Sequence, residues 1–389
     1  MANTTVRTKD KRSTKKKQMT KTVGSLDRSL LLIILVLVVF GLVMVFSASA
    51  PAASYYMDNP YHYVIRQGIF ALLGFASMFI LSFVDYHFYG RFALPILVGC
   101  FLLLFAVYIP GLGVVSNGAR RWIGYGVFSL QPSELAKVGV IIYFAYSLSV
   151  IKDRIQQFWG GLVRYLVILG AFGVVLMLEP HFSGTVVIVG TAVIMLIIAG
   201  ARLKHFALLS LPIIPAAVYM IWKEPYRLER VTTFLNPFAD PSDAGFQIVQ
   251  SLYAIGSGGI FGLGLGMSRQ KFLYIPEPQN DFIFSIICEE LGLLGALAVL
   301  TLFAVLLWKG YRLAQDAPDL FGSLLAAGIT SLIAIQVIIN IAVVTSSVPV
   351  TGMALPFFSY GGTSLFILLS CMGILLNISR QSMKKVGGN

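Results

Sequence analysis

The sequence predicts an all-α polytopic membrane protein with ten transmembrane helices, both termini in the cytoplasm and one large exterior loop between helices 7 and 8. Three observations carry that prediction. The 389 residues are 57% hydrophobic and 12% charged, where a soluble domain carries about 25% charge, and mean hydropathy is +0.82. Apolar runs of roughly 17 to 25 residues recur from end to end, each long enough to cross about 30 Å of hydrocarbon. They are continuous rather than alternating, which selects helices over a barrel. Finally, Lys and Arg divide unevenly among alternate loops: 20 of 29 on one set, 8 on the other, with Lys137 inside a span. That bias puts the richer set in the cytoplasm and accounts for the +12 net charge without nucleic acid.

In chain order, residues 1–28 form a polar tail with nine Lys/Arg against two Asp, read as disordered and cytoplasmic, with a charge that suits anionic lipid. The first apolar run is long enough to stay as an anchor rather than serve as a cleaved signal. The expected spans are 30–47, 68–84, 92–109, 133–151, 162–178, 184–199, 206–222, 282–308, 322–344 and 356–378. They make one transmembrane domain over 29–380, followed by a short cytoplasmic tail at 381–389. Cys100, Cys288 and Cys371 lie in apolar runs with neither disulfide nor metal spacing, so they read as small core residues.

The exterior stretch 223–280 is unusually long and carries Gly256-Ser-Gly-Gly259 and Gly262-Leu-Gly264-Leu-Gly266. A loop of that length is functional or disordered. Its apolar residues predict a segment folded down on the helices, with glycines permitting close backbone approach to a ligand. No strand precedes the glycines, so a nucleotide site is rejected. No internal repeat of a transporter kind is visible.

The expected topology brings three kinds of group to the outer face. Asp281 stands at the mouth of the eighth span, with Glu289 and Glu290 just inside it. Carboxylates near lipid are costly and suggest function. Asp281 also suits a helix N-cap, and Glu289 and Glu290 read as structural partners of Arg or of backbone. Arg120 and Arg121 precede Gln131-Pro-Ser-Glu134-Leu-Ala-Lys137, where Pro132 fits a helix start and Lys137 follows about one turn in. Arg120 and Arg121 also fit interfacial anchors, and Lys137 also fits snorkelling or an ion pair with Glu134. The third group is the Pro/Gly-interrupted run at 349–364 with Ser359, Thr363 and Ser364, read as a broken segment whose hydroxyls face a cavity. His181 reads as a loop histidine, since no second His or Cys is placed to share a metal. Gln336 and Asn340 read as interhelical hydrogen-bonding groups. A carboxylate, several cations and many hydroxyls suit an anionic, sugar-bearing lipid.

These residues resemble the SEDS family (shape, elongation, division and sporulation), which includes FtsW, RodA and SpoVE. The matching motifs are Asn117-Gly-Ala-Arg120-Arg121-Trp122, Gln131-Pro-Ser-Glu134-Leu-Ala-Lys137, Tyr226 and Arg230 followed by Phe234-Leu-Asn-Pro237, Gln250-Ser-Leu-Tyr-Ala-Ile-Gly256-Ser257, Glu277 and Asp281-Phe-Ile-Phe, Glu289-Glu290-Leu-Gly292, and the run 349–364. The resemblance implies ten spans and a peptidoglycan glycosyltransferase that polymerises lipid II. It implies work beside a class B penicillin-binding transpeptidase and other divisome membrane proteins in the cytoplasmic membrane, at the septum. It puts the essential acid on Asp281 and substrate contacts on Arg120, Arg121, Lys137, Glu134, Gln250, Ser257, Glu277, Ser359, Thr363 and Ser364. A divalent cation, Mg or Mn, suits the diphosphate leaving group. One departure is at 179–185, where the family often has Pro-Asp-x-Gly-Thr and this chain has Glu179-Pro180-His181-Phe-Ser-Gly184-Thr185. That variant resembles FtsW proteins of Gram-positive type more than RodA, which points to division. The rival readings are a lipid II flippase using Asp281 as a proton relay, and a non-catalytic divisome scaffold.

Overall fold

The computed structural model describes residues 26–116, 119–125, 128–223, 228, 232–239 and 245–382. The basic tail at 1–25, Asn117, Tyr226, Arg227, Arg230 and the tail at 383–389 lie outside them. Among the described residues the helices are α1 (Arg28–Met57), α2 (His62–Phe83), α3 (His87–Arg91), α4 (Ala93–Phe105), α5 (Pro132–Ile151), α6 (Val163–Leu178), α7 (Phe182–Ile198), α8 (Leu203–Lys223), α9 (Phe246–Ser257), α10 (Ile283–Asp316), α11 (Leu320–Val344) and α12 (Gly362–Gln381).

Seven of these helices are long and apolar enough to cross a membrane: α1, α2, α10, α11, α12, and α5 and α6 with their flanking turns. The other three expected spans fall on the shorter apolar helices α4 and α7 and on the 21-residue α8. Local capping explains several ends. Asp27 accepts hydrogen bonds from the backbone of Ser29 and Leu30 at the start of α1, Asp319 does the same for Gly322 in α11, and Pro132 occupies the first turn of α5, where its missing N–H leaves no gap.

The core is built on α11, which packs against α10, α5 and α7, while α12 runs along α2. Small residues let the latter pair close. A Cβ at Gly74 would overlap Leu369, and one at Gly373 would overlap the Met78 backbone, the device by which membrane helices approach.

Three features depart from the expected all-helical reading. First, a three-stranded antiparallel sheet, β1 (Gly113–Ser116), β2 (Ala119–Tyr125) and β3 (Phe128–Leu130), lies between α4 and α5 in the order β1-β2-β3. The Asn-Gly dipeptide at 117–118 is a hairpin signal that a hydropathy window passes over. Second, α12 begins at Gly362, not at 356. The backbone before it bonds elsewhere: the Tyr360 N–H to the Gln279 carbonyl, 2.8 Å, and the Gly361 N–H to Gln67, 3.1 Å. Third, α10 is broken at Gly292, whose φ of 65° lies in the left-handed region.

That break explains the glycine-rich exterior stretch. Leu263 and Gly264 donate to the Glu289 and Glu290 carbonyls at 3.0 and 2.9 Å, and Leu293 and Leu294 donate to Gly259 and Ile260 at 2.9 and 3.2 Å. A Cβ at Gly258, Gly262 or Gly292 would strike the opposing backbone. Gly258, Gly262 and Gly292 therefore serve close approach between this stretch and α10. As expected, the stretch lies on the helices: α9 packs on α10, and the Ser251 hydroxyl bonds Ser285 and the Val344 carbonyl at 2.8 Å each.

Candidate active site

Four helices begin around one cavity of about 270 Å³. Gln131, Glu134 and Lys137 come from the start of α5, His181, Ser183 and Gly184 from that of α7, Asp281 from just before α10, and Gly361 and Ser364 from the start of α12. Helix N-termini carry unpaired N–H groups and partial positive charge, so their convergence favours an anionic guest. Arg121 and Glu277 also line this space. Seven of the residues singled out from sequence thus meet here: Asp281, Arg121, Glu134, Lys137, Glu277, Ser359 and Ser364.

Asp281 is held by its backbone. Asn340, deep in α11, donates to the Asp281 carbonyl at 2.8 Å and to the Met353 carbonyl at 2.6 Å. The Ser359 hydroxyl donates to the neighbouring Asn280 carbonyl and accepts from the Leu355 N–H at 2.7 Å. The Asp281 carboxylate lies against Gly352, where a Cβ would come within 3.2 Å of it. Burial, with the Glu277 carboxylate nearby, raises the Asp281 pKa to about 6, because a poorly solvated, like-charged site disfavours ionisation. Asp281 caps no helix here, since Phe282 holds the N-cap position of α10 without a side-chain bond.

The cations are less free than the sequence suggests. Lys137 pairs with Glu134 at 2.7 Å, and Ser364 donates to the other Glu134 oxygen at 3.2 Å, so α5 and α12 are joined through that carboxylate. Arg121 donates to the Glu179 carbonyl at 3.3 Å and to the Pro180 carbonyl, fixing the sheet to the α6–α7 turn. Glu179 is 2% exposed, and neither carboxylate oxygen has a hydrogen-bond partner among the described residues. Burial raises its pKa to about 7, and Arg121 offsets only part of that shift.

Four predicted residues lie elsewhere. Arg120 is exposed on β2, because successive strand residues point to opposite faces and only Arg121 turns inward. Gln250 and Ser257 sit on α9, outside the cavity, and the Ser257 hydroxyl is satisfied by the Ala254 carbonyl at 3.1 Å. Thr363 lies in the first turn of α12 without lining the cavity, its hydroxyl enclosed and without a partner among the described residues. His181, read as a loop histidine rather than a metal ligand, stands just before α7 and is part of the cavity wall. Gln131, Asn280 and Tyr360 were not singled out as individual side chains. Their only sequence signal is position beside a helix start.

Glu289 and Glu290 are structural, as read, with Lys271 and loop backbone as partners. Glu289 accepts from the Ser268 hydroxyl and the Arg269 N–H, 2.9 Å. Glu290 accepts from Ser47 at 2.7 Å and Lys271 at 2.8 Å. Among the described residues no group of three or more His, Cys, Asp or Glu is placed to hold a metal.

Comparison with known proteins agrees with this architecture. The sequence profile of the FtsW/RodA/SpoVE cell cycle proteins matches residues 27–384. Stage V sporulation protein E of Bacillus subtilis (strain 168) is 49% identical over 94% of this chain and 100% of its own length. A probable peptidoglycan glycosyltransferase FtsW of Geobacter sp. (strain M18) is 42% identical over 92% and 98%. Among solved structures, a chain described under "Structural coordination of polymerization and crosslinking by a peptidoglycan synthase complex" aligns with TM-score 0.77 at 28% identity, over 92% of this chain and 98% of that one. The Thermus thermophilus rod shape determining protein RodA aligns with TM-score 0.68 at 26% identity, over 93% and 99%. The chain belongs to the FtsW/RodA/SpoVE family of cell cycle proteins, the SEDS family.

Proposed function

We propose that this multi-pass membrane protein is a peptidoglycan glycosyltransferase that polymerises lipid II into glycan strands at the outer face of the cytoplasmic membrane during cell division. The observation that carries this reading is a single cavity lined by Asp281, Arg121 and the Glu134–Lys137 pair at the starts of four helices. Relatives named as peptidoglycan glycosyltransferases support the reaction. Ten spans with both termini in the cytoplasm, the topology that the Lys/Arg bias of the loops supports, would put the cavity at the outer face.

Asp281, ionised, accepts the proton of the acceptor sugar's C4 hydroxyl. That oxygen attacks C1 of the donor, the C1–O bond breaks, and undecaprenyl diphosphate leaves with the electron pair. A single displacement inverts the α-linked donor to a β-linkage, so one carboxylate suffices, unlike the paired acids of glycoside hydrolysis. Arg121, Lys137 and the helix N-termini meet the charge on the diphosphate. A divalent ion, Mg²⁺ or Mn²⁺, would offset diphosphate charge, and Asp281 would then serve as its hard oxygen ligand instead of as the base. The partners are a class B penicillin-binding transpeptidase and other divisome proteins, a reading supported by the likeness to a synthase-complex chain.

The test is polymer formation from purified lipid II by wild type and by Asp281→Asn and Asp281→Ala proteins. Wild-type rates in both variants eliminate the role of Asp281. Lipid II crossing liposome bilayers without polymer would favour a flippase. A fluorescent fusion absent from septa of dividing cells removes the division role.

A further inference from the structure

His181 is built into the cavity wall with more constraint than a loop histidine needs. Its N–H donates to the Leu176 carbonyl at 2.8 Å, and its carbonyl accepts from the Thr185 N–H and hydroxyl at 3.3 and 3.2 Å. The adjacent Ser183 hydroxyl donates to the Thr351 carbonyl at 2.6 Å. These bonds fix the start of α7 against the segment that covers Asp281. The ring folds over Gly184, where a Cβ would overlap it, so this orientation requires glycine at 184.

The side-chain amide of Gln131 stands 3.3 Å from His181 Nδ1. An amide nitrogen can only donate, so Nδ1 accepts and the ring proton sits on Nε2. Burial, then the charges of Arg121 and Lys137, lower the His181 pKa to about 4, so the ring is neutral at physiological pH. The wall therefore presents a neutral N–H donor, oriented from behind, beside two cations.

We infer that Gln131 and His181 form a positioning pair for a lipid-linked diphosphate, with His181 Nε2–H donating to a phosphate oxygen beside Arg121 and Lys137. This deepens the glycosyltransferase reading and rests on it. A neutral donor adds a directional contact without adding charge that would trap the diphosphate product.

The experiment measures binding of undecaprenyl diphosphate to the full-length protein in nanodiscs, with kcat/KM for lipid II polymerisation as second readout. His181→Leu weakens binding at least tenfold, roughly what loss of one hydrogen bond to a charged group produces. His181→Gln, whose amide nitrogen reaches the position of Nε2, recovers it to within about threefold of wild type, a rescue that a packing role alone would not give. Gln131→Leu, which releases Nδ1, weakens binding in the same direction and carries the test if His181→Leu fails to fold. Binding within twofold of wild type in the folded Leu variants, or His181→Gln as weak as His181→Leu, overturns the inference. Because binding is read without turnover, a wild-type protein that binds the diphosphate but forms no polymer would sink the glycosyltransferase reading instead.

Discussion

Asp281 and the Glu289–Glu290 pair lie eight and nine residues apart and end in opposite chemical states. Glu289 and Glu290 are 1% and 0% exposed, each held by several donors from loop and helix. Among the described residues Asp281 is hydrogen-bonded through its backbone, and its carboxylate opens on the cavity. A buried charge with a full set of partners is structure; one left short of partners, at the convergence of helix starts, is available for chemistry. Burial near lipid alone did not separate the two cases.

The contrast can be broken by exchanging its consequences. Asp281→Asn is expected to abolish polymerisation, by about 10² to 10⁴-fold for loss of a general base, while melting above pH 6 is raised. Lys271→Met is expected to do the reverse. It strands Glu290 as an unpaired buried charge, which costs about 3–5 kcal/mol, read as lower melting and poor membrane yield. The double variant Lys271→Met/Glu290→Gln restores part of that loss in a double-mutant cycle. Strictly additive losses would show that the pair is not coupled.

A pH profile sharpens the same contrast. The Asp281 pKa of about 6 places the acid limb of kcat/KM there. The rate falls about tenfold per unit below pH 6 and is flat above it, and the limb disappears in Asp281→Asn. The sign for stability is opposite to that of an ion-paired carboxylate. A pKa raised above the ordinary 3.8 means that the folded state binds the proton more tightly, so stability is greatest at low pH and declines as pH rises to 6. Asp281→Asn is therefore expected to melt higher than wild type above pH 6, and equal melting at all pH values would remove the raised pKa. The smallest expected effect is at Gly262, with φ 78° and the Glu290 carbonyl where a Cβ would go. Gly262→Ala should destabilise by about 1–3 kcal/mol through the loop clasp, with kcat/KM per folded molecule little changed.

Much of this was legible in the residues. Seven of the apolar runs are helices long and apolar enough to cross a membrane, at the expected places. The acid at 281 was found from the cost of a carboxylate near lipid, the Glu134–Lys137 turn from helix-start chemistry and the 349–364 segment from its Pro/Gly interruptions. What could not be read was which polar group was already spent. Ser359 lines the cavity as expected, and its hydroxyl also braces the Asn280 carbonyl, a bond that sequence alone does not show. The glycines at 258–264 looked like a ligand cradle but admit the broken α10. The contact between His181 and Gln131 was not legible because the two lie 50 residues apart in sequence.

Sequence by itself determined the membrane character and the helical segments, because a segment's transfer into hydrocarbon depends on its own composition and length. Only the tertiary structure decided which carboxylates are satisfied and which is exposed to a guest. Ser47 reaches Glu290 across 243 positions and Ser359 reaches Asn280 across 79, and hydrogen bonds that short-ranged exist only once the helices have packed.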